Sequence, residues 1–447
     1  MHKTLEEIKD YDTFIFDKFE VDYDDKIVIR FYYSIPGLED FVHRIELPYS
    51  NQNIDKDYVS KLAFNIGMIE LINYWKLTIA PNIVINCGNL DDKQKSFFRK
   101  LYFHGEGEFF YVNGLKPDYD TFINFTCKGN NWDKKVNVSF SGNMIGVGGG
   151  KDSCVSLELL KNEKDNACFV INPKPVNMEC CKIAGIDKVY EVKRVLDKKM
   201  IELNNQGFLN GHIPFSAMVA FVSYLLAYLN ERKYIVLSNE SSANESNVAG
   251  TKINHQYSKS YEFEDDFQKY ASEYLGEGIK YFSFLRPLSE YQIGMIFANR
   301  CQRFHKVFKS CNVGSKGEVW HWCCNCAKCL FVFSLLSPHL YKDSLVDIFG
   351  EDMFENTNLL TMFKELLGKE NVKPFDCVGT FEEINYAITK TIQRIGKDNL
   401  PYLLKYYRDN YYDENILNLN LEEFFYTPNS LEEPYLKLVK DAIKYGK

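Results

Sequence analysis

Two runs in this chain carry residue types whose spacing can do chemistry. The first is Gly148-Gly149-Gly150-Lys151-Asp152-Ser153, which follows the apolar run "NMIGV". Glycine permits positive φ and lets backbone N–H groups come close to a ligand. A helix beginning after such a loop adds partial positive charge at its N-terminus. That combination holds phosphate; a ligand-free glycine-rich turn is the plain alternative. The Walker pattern needs Ser or Thr directly after its lysine, whereas Asp152 follows Lys151 here. The dinucleotide spacing G-x-G-x-x-G fits poorly as well. An acidic side chain beside phosphates needs a cation, so Mg²⁺ is expected with the loop.

The second run, "SCNVGSKGEVWHWCCNCAKC", places cysteines at Cys311, Cys323, Cys326 and Cys329, with Cys324 as a spare. Two overlapping C-x-x-C steps and an upstream cysteine can supply four thiolates to tetrahedral zinc; reduced, partly buried thiols are the other reading. Thirteen cysteines in 447 residues, with no secretion signal in "MHKTLEEIKDYD", do not describe a disulfide scaffold.

Four polar runs lie between these two, or overlap their flanks: "GHIPFSAMVA", "LSNESSANES", "NHQYSKSYEFE" and "FLRPLSEYQI". Runs of this kind cap helices or solvate loops. Ser238, Asn239 and Glu240, however, come directly after a strand-like segment, at the carboxyl edge of a sheet where ligands gather. His255 and Lys259 are candidate general bases, since a base needs a neutral form near working pH. Cys377 in "PFDC" is a further acid/base candidate, or a buried core cysteine. Arg286 can grip a carboxylate or pyrophosphate through its planar donor fork, or can make a structural salt bridge.

The elements that must position these residues fall into three regions. Residues 1–135 are expected to form a separate α+β region. There "FIFDKFEVDY" and "KIVIRFYYSI" alternate like paired strands, ahead of a helix at Val59–Leu77 and a strand at "NIVINC". In residues 136–340 the runs "NMIGV", "ACFVIN", "KVYEV" and "KYIVLS" read as strands. They alternate with helices at Ser153–Asn162, Met178–Ala184 and Phe215–Leu229, which implies α/β with a parallel sheet flanked by helices. Residues 341–447 read as mainly helical, broken by "KPFDCVGT" at 373–380. A composition 45% hydrophobic and 26% charged is enough for a sizeable core. A net charge of −8 argues against a nucleic-acid partner, because phosphate backbones need a basic surface. The apolar run Ile213–Leu229 falls short of the roughly 20 residues of a membrane span; it reads as a buried helix, and a cytoplasmic protein without a membrane partner is expected.

The glycine run resembles the pyrophosphatase loop S-G-G-x-D-S of the ATP pyrophosphatase (PP-loop) superfamily, with Gly148 where that family has its first serine. The resemblance implies a PP-loop-type sheet and ATP cleaved between its α and β phosphates, giving a substrate adenylate and pyrophosphate. Four-cysteine sites similar to this one occur in the deazaguanine synthases of the superfamily, where the metal is structural. Taken together, "GVGGGKDS", "GHIP", "SNESSA", "NHQYSKSYEFE", "LRPLSE", "WCCNCAKC" and "KPFDCVGTFEE" resemble the UDP-N-acetylmuramoyl-L-alanyl-L-glutamate epimerase (MurL) family. That resemblance implies an ATP-dependent isomerase of peptidoglycan precursor synthesis acting on a UDP-muramoyl dipeptide. Its cofactor-binding residues would be Gly148 to Ser153 and Ser238 to Glu240. Adenylating the substrate carboxylate would acidify the α C–H, so that a base could remove the proton and allow inversion. The rival readings are a deazaguanine synthase-like amide or nitrile former, a nucleotide-binding protein without chemistry, and a tRNA thiolase, the last disfavoured by the negative charge.

Overall fold

The computed structural model describes residues 3–246, 253–311, 313–314, 321–370 and 373–445. Asn312 and residues 315–320 of the cysteine-bearing run lie outside the described residues. The strands are β1 (Thr13–Tyr23), β2 (Ile27–Ile35), β3 (Glu39–Leu47), β4 (Asn82–Ile85), β5 (Asn124–Cys127), β6 (Ser141–Gly146), β7 (Asn166–Ile171), β8 (Val189–Val195), β9 (Arg232–Leu237) and β10 (Lys280–Ser283). Among the described residues they form one mixed sheet in the order β10-β9-β6-β7-β8-β3-β2-β1-β4-β5. The segment from β8 to β10 is parallel throughout, as alternation of strands with helices requires. β1, β2 and β3 make an antiparallel meander whose last strand pairs with β8. The sheet therefore runs across the boundary expected near residue 135.

Alternation along the central strands divides the apolar residues between two cores. Met144, Ala167, Phe169 and Ile235 face one cluster, while their neighbours Ile145, Cys168, Val170 and Val236 face the other, as a period of two demands. The first face is covered by helices Lys56–Glu70 and Phe215–Leu229, which pack on each other. The second is covered by Lys151–Leu160, Glu290–Arg300, Ala327–Leu336 and Phe381–Ile395. The apolar run singled out above is thus an interior helix. No helix among the described residues is long and apolar enough to cross a membrane.

Phe215–Leu229 has the bounds read from the sequence, but other helices begin earlier than expected. The helix read as Val59–Leu77 starts at Lys56, where the Asp55 side chain caps the Tyr58 N–H. It stops at Glu70, ahead of a short turn of helix at Ile72–Trp75. The helix read from Met178 starts at Pro175, whose ring suits a first turn. After β10 every described element is helical, and 373–380 carries none of them. The sequence reading did not single out β3, β5 or β10.

The topology also fixes where a ligand can sit. The chain leaves β6 for β7 on one side, and β9 returns to pair on the other. The two connections diverge at the carboxyl end of β6, and a crevice opens at such a switch point.

Candidate active site

The glycine loop fills that switch point, between β6 and helix Lys151–Leu160. Gly149 has φ +81°, and a Cβ there would stand 2.9 Å from Val176 Cγ1. A Cβ on Gly150 would come within 2.8 Å of Ser310 Oγ. Gly149 therefore requires glycine, whereas at Gly150 a Cβ would have to displace the Ser310 hydroxyl. Gly148 has no such constraint: a Cβ there meets nothing within 4 Å, so a side chain at this position would face open space. Ser153 Oγ accepts from the Gly149 N–H at 3.2 Å and donates to the Gly150 carbonyl at 3.0 Å. The Lys309 N–H donates to the Gly149 carbonyl at 2.9 Å. The loop is held from both sides, with its N–H-rich rim at the helix start, where an anion is stabilised.

Beside it, Asp152, Glu240 and Glu290 each bring a carboxylate oxygen to within 4.8 Å of the others. The Lys151 ammonium, fully buried, donates to Asp152 and Glu290. Lys151 was expected to bind the cofactor directly; the structure places its charge behind the loop, between carboxylates. Burial, together with the Asp152 charge, raises the Glu240 carboxyl above its ordinary range. Burial raises Glu290 to about 7 against the pull of Lys151. Asp152 stays low because Lys151 and other cations outweigh its burial. Three crowded carboxylates, two buried and Asp152 partly exposed, with one internal lysine are a donor set suited to a hard cation, which takes oxygen ligands. Glu290 was missed in the sequence reading, although it opens the helix after β10 within the quoted "LRPLSE".

The three acid/base candidates converge. Lys259 Nζ donates to Cys377 Sγ at 3.0 Å, and His255 is near enough to the same thiol for each to shift the other's ionisation. Lys328 donates to the Cys377 carbonyl. Burial would push the thiol up, but the Lys259 ammonium and neighbouring His255 hold Cys377 down to about 5. Burial likewise opposes charge on His255, yet Cys377 and Glu108 raise it to about 9. Burial notwithstanding, Cys377 and Glu240 raise Lys259 above its ordinary value. A thiolate and two cations are the resting forms this arrangement favours.

Glycine loop, carboxylates and thiolate face one cavity of about 680 Å³, whose wall includes Gly148, Gly150, Asp152, Ser153, Ser238, Asn239, Glu240, Lys259, Glu290, Lys309, Lys328 and Cys377. Ser238 is fixed by Ser156 at 2.8 Å and Asn239 by Ser283 at 2.9 Å. Another cavity, of about 430 Å³ between Lys18, Tyr23 and Trp132, contains none of these groups. Arg286 does not reach the cavity. Its side chain is fully buried and donates to the Glu240 carbonyl at 2.6 Å and to Glu264 at 3.1 Å. It also donates to the Lys259 carbonyl. Arg286 makes the structural ion pair rather than the substrate grip, tying together the two segments that carry Glu240 and Lys259.

The four cysteines gather on the far side of the loop. Sγ separations are 4.0 Å for Cys311–Cys326, 3.8 Å for Cys323–Cys329 and 3.5 Å for Cys326–Cys329. Four sulfurs at the usual Zn–S distance stand about 3.8 Å apart along a tetrahedron's edge, so the four side chains fit a zinc ion. Cys324 turns away, its thiol donating to the Phe349 carbonyl at 3.2 Å. Because Ser310 and Cys311 adjoin the glycine loop, the sulfur cluster buttresses the cavity wall.

Comparison with known proteins agrees across most of the chain. The MurL N-terminal domain family matches residues 5–284 and the MurL C-terminal domain family residues 307–414. A UDP-N-acetyl-alpha-D-muramoyl-L-alanyl-L-glutamate epimerase from Xanthomonas oryzae pv. oryzae is 33% identical over 355 residues, 77% of each chain. Proteins of the same name from Salinispora tropica and a Micromonospora species are 31% and 30% identical, covering 89% and 86% of this chain and 88% of each relative. No solved structure matches. On domain matches that span both ends of the cavity wall and relatives aligned over most of their length, this chain is an enzyme and belongs to the MurL epimerase family.

Proposed function

We propose that the chain inverts the terminal L-glutamate of UDP-MurNAc-L-Ala-L-Glu to D-glutamate, by an ATP-dependent route on a PP-loop-type sheet. The observation that carries this reading is a shared cavity. An anion-binding glycine loop, a carboxylate cluster and a preformed thiolate face the same space. An amide-forming ligase needs the first two but has no use for a proton acceptor at the substrate carbon.

ATP, as co-substrate, converts the glutamate carboxylate to a mixed anhydride, which spreads the charge left when the α-proton departs. The chain's residues serve this step in two groups. The backbone of Gly148 and Gly150 and the start of helix Lys151–Leu160 would hold the phosphates, with Lys309 and Lys328 on the same wall, while Gly149 keeps the loop's turn and gives its N–H to Ser153. Asp152, Glu240 and Glu290 would hold Mg²⁺, which neutralises phosphate charge. Cys377 then handles the proton at one face of the α-carbon. A thiol held down to about 5 is ionised near neutral pH, so no prior proton transfer is needed, and Lys259 stabilises the anion. Return of a proton from the opposite face inverts the centre, and hydrolysis releases AMP and product. Cys311, Cys323, Cys326 and Cys329 would hold structural zinc, outside the chemistry.

Turnover of the muramoyl dipeptide nucleotide in deuterated water tests the reading. Deuterium should enter the glutamate α-carbon only with ATP present, alongside AMP, pyrophosphate and D-glutamate. Glutamate that stays L with α-protium despite AMP release would overturn it, and ammonia-dependent ATP use would point to the ligase.

A further inference from the structure

Behind Cys377 lies a polar cluster that the steps above leave unused. Glu108, on the helix Gly107–Val112, bonds through Oε2 to His255 Nδ1 and stands 3.5 Å from His212 Nδ1. The two imidazole rings pack with centroids 4.3 Å apart. His255 in turn neighbours Cys377, and each shifts the other's ionisation. Cys377 lines the cavity, whereas Glu108, His212 and His255 are not part of its wall. Segments more than a hundred residues apart thus form one line, carboxylate to imidazole to sulfur.

We propose that Glu108 is a positioning residue for the proton step, its carboxylate orienting the His255 ring and keeping it charged against the Cys377 sulfur. A carboxylate on one ring nitrogen sets the orientation of a histidine and stabilises its cation. A neighbouring imidazolium in turn favours the thiolate. The surrounding charges agree with this order. His255 is raised to about 9 despite burial, while burial and the His255 charge push His212 down to about 3. Only the ring between Glu108 and the sulfur therefore carries the proton. Lys259 and Lys328 face Cys377 from the other elements, and Lys76 and Glu106 lie behind the histidines. When the thiolate takes the α-proton, the C–H electron pair passes to the substrate enolate and an S–H bond forms. His255 keeps its proton throughout, held by Glu108.

The assignment rests on Cys377 as the acid/base group, but its test does not need the epimerase reaction. The near-isosteric Glu108→Gln variant removes only the charge. The pH dependence of Cys377 alkylation by iodoacetamide, located by peptide mass, reads the thiolate directly, without ATP or muramoyl substrate. The midpoint should rise by about one pH unit, with Lys259 still holding it below an ordinary thiol, and Glu108→Asp should restore most of the shift. In turnover, the variant's α-carbon exchange should fall near neutral pH while AMP release and the KM for ATP hold. An unchanged alkylation midpoint overturns the inference whether or not the chain is an epimerase. A shifted midpoint in a protein that never exchanges the α-proton upholds the Glu108 role and sinks the proposed reaction instead. Should Glu108→Gln fail to fold, ¹⁵N-histidine spectra of the unaltered protein decide. One imidazole must remain doubly protonated at about pH 8, and its absence overturns the proposal.

Discussion

Replacing Lys259 by methionine tests the electrostatic origin of the Cys377 base, because this ammonium is the largest favourable influence on the thiolate. Two unit charges 3.0 Å apart attract by ~5 kcal/mol at an effective dielectric of ~20. At about 1.4 kcal/mol per pKa unit that is ~4 units, enough to outweigh burial and to supply most of the displacement of Cys377 from 9.0 to about 5, the rest coming from His255 and Lys328. Methionine keeps the length and apolar bulk of the side chain and removes its charge. Cys377 should then return toward an ordinary thiol, and its ionised fraction at pH 7 should fall from about 99% to about 1%. Deuterium incorporation at the α-carbon should therefore drop ~100-fold at pH 7 and recover about tenfold per pH unit up to about pH 9. Pyrophosphate release in the first turnover should persist. The unaltered enzyme should gain exchange through about 5 as Cys377 ionises, and lose it through about 9 as His255 gives up its proton. An equal loss at every pH would make Lys259 itself the proton carrier and refute the reasoning. An unchanged rate at pH 7 would remove the thiolate from the mechanism.

Asp152→Asn should abolish pyrophosphate release while circular dichroism and melting stay near normal, since the change is almost isosteric; full turnover would end the ATP assignment. Purified protein should contain about one zinc per chain, bound through sulfur by X-ray absorption. Removing the metal, or substituting Cys326, should lower thermal stability and loosen the Gly150–Ser310 contact, because structural zinc contributes folding free energy; metal-free protein of equal stability would leave ordinary thiols. Arg286→Met should cost about 3–5 kcal/mol in denaturant unfolding by stranding the Glu264 charge; a normal melting curve with a raised substrate KM would restore the substrate-gripping role.

What could be read before folding was whatever a short stretch encodes. The glycine loop is six consecutive residues, the four cysteines fall within nineteen positions, and the fifteen-residue apolar helix Phe215–Leu229 has no competing period. The meander strands β1 and β2 announce themselves by alternation, and the "Ile27–Ile35" burial alternates without a break. Short or charge-rich strands gave no such signal. β5 and β10 are four residues each, and β3 carries Glu39, Asp40, Arg44 and Glu46 among its nine residues. The pairing of β3 with β8 depends on partners more than a hundred residues apart. Arg286 reads from sequence as an exposed guanidinium and is instead enclosed, because Glu264 and two carbonyls meet it only after β9 and β10 pair. The same limit applies at the thiol. Cys377, Lys259, His255 and Glu108 come from four separate segments, and no spacing rule connects them. Yet the ionisation of Cys377 is a property of that assembly, since an isolated thiol near 9 is mostly neutral in the cell's pH range. The loop proposed to hold phosphate is local, so the sequence shows it; the proposed base is a product of tertiary structure, so only the fold can make it.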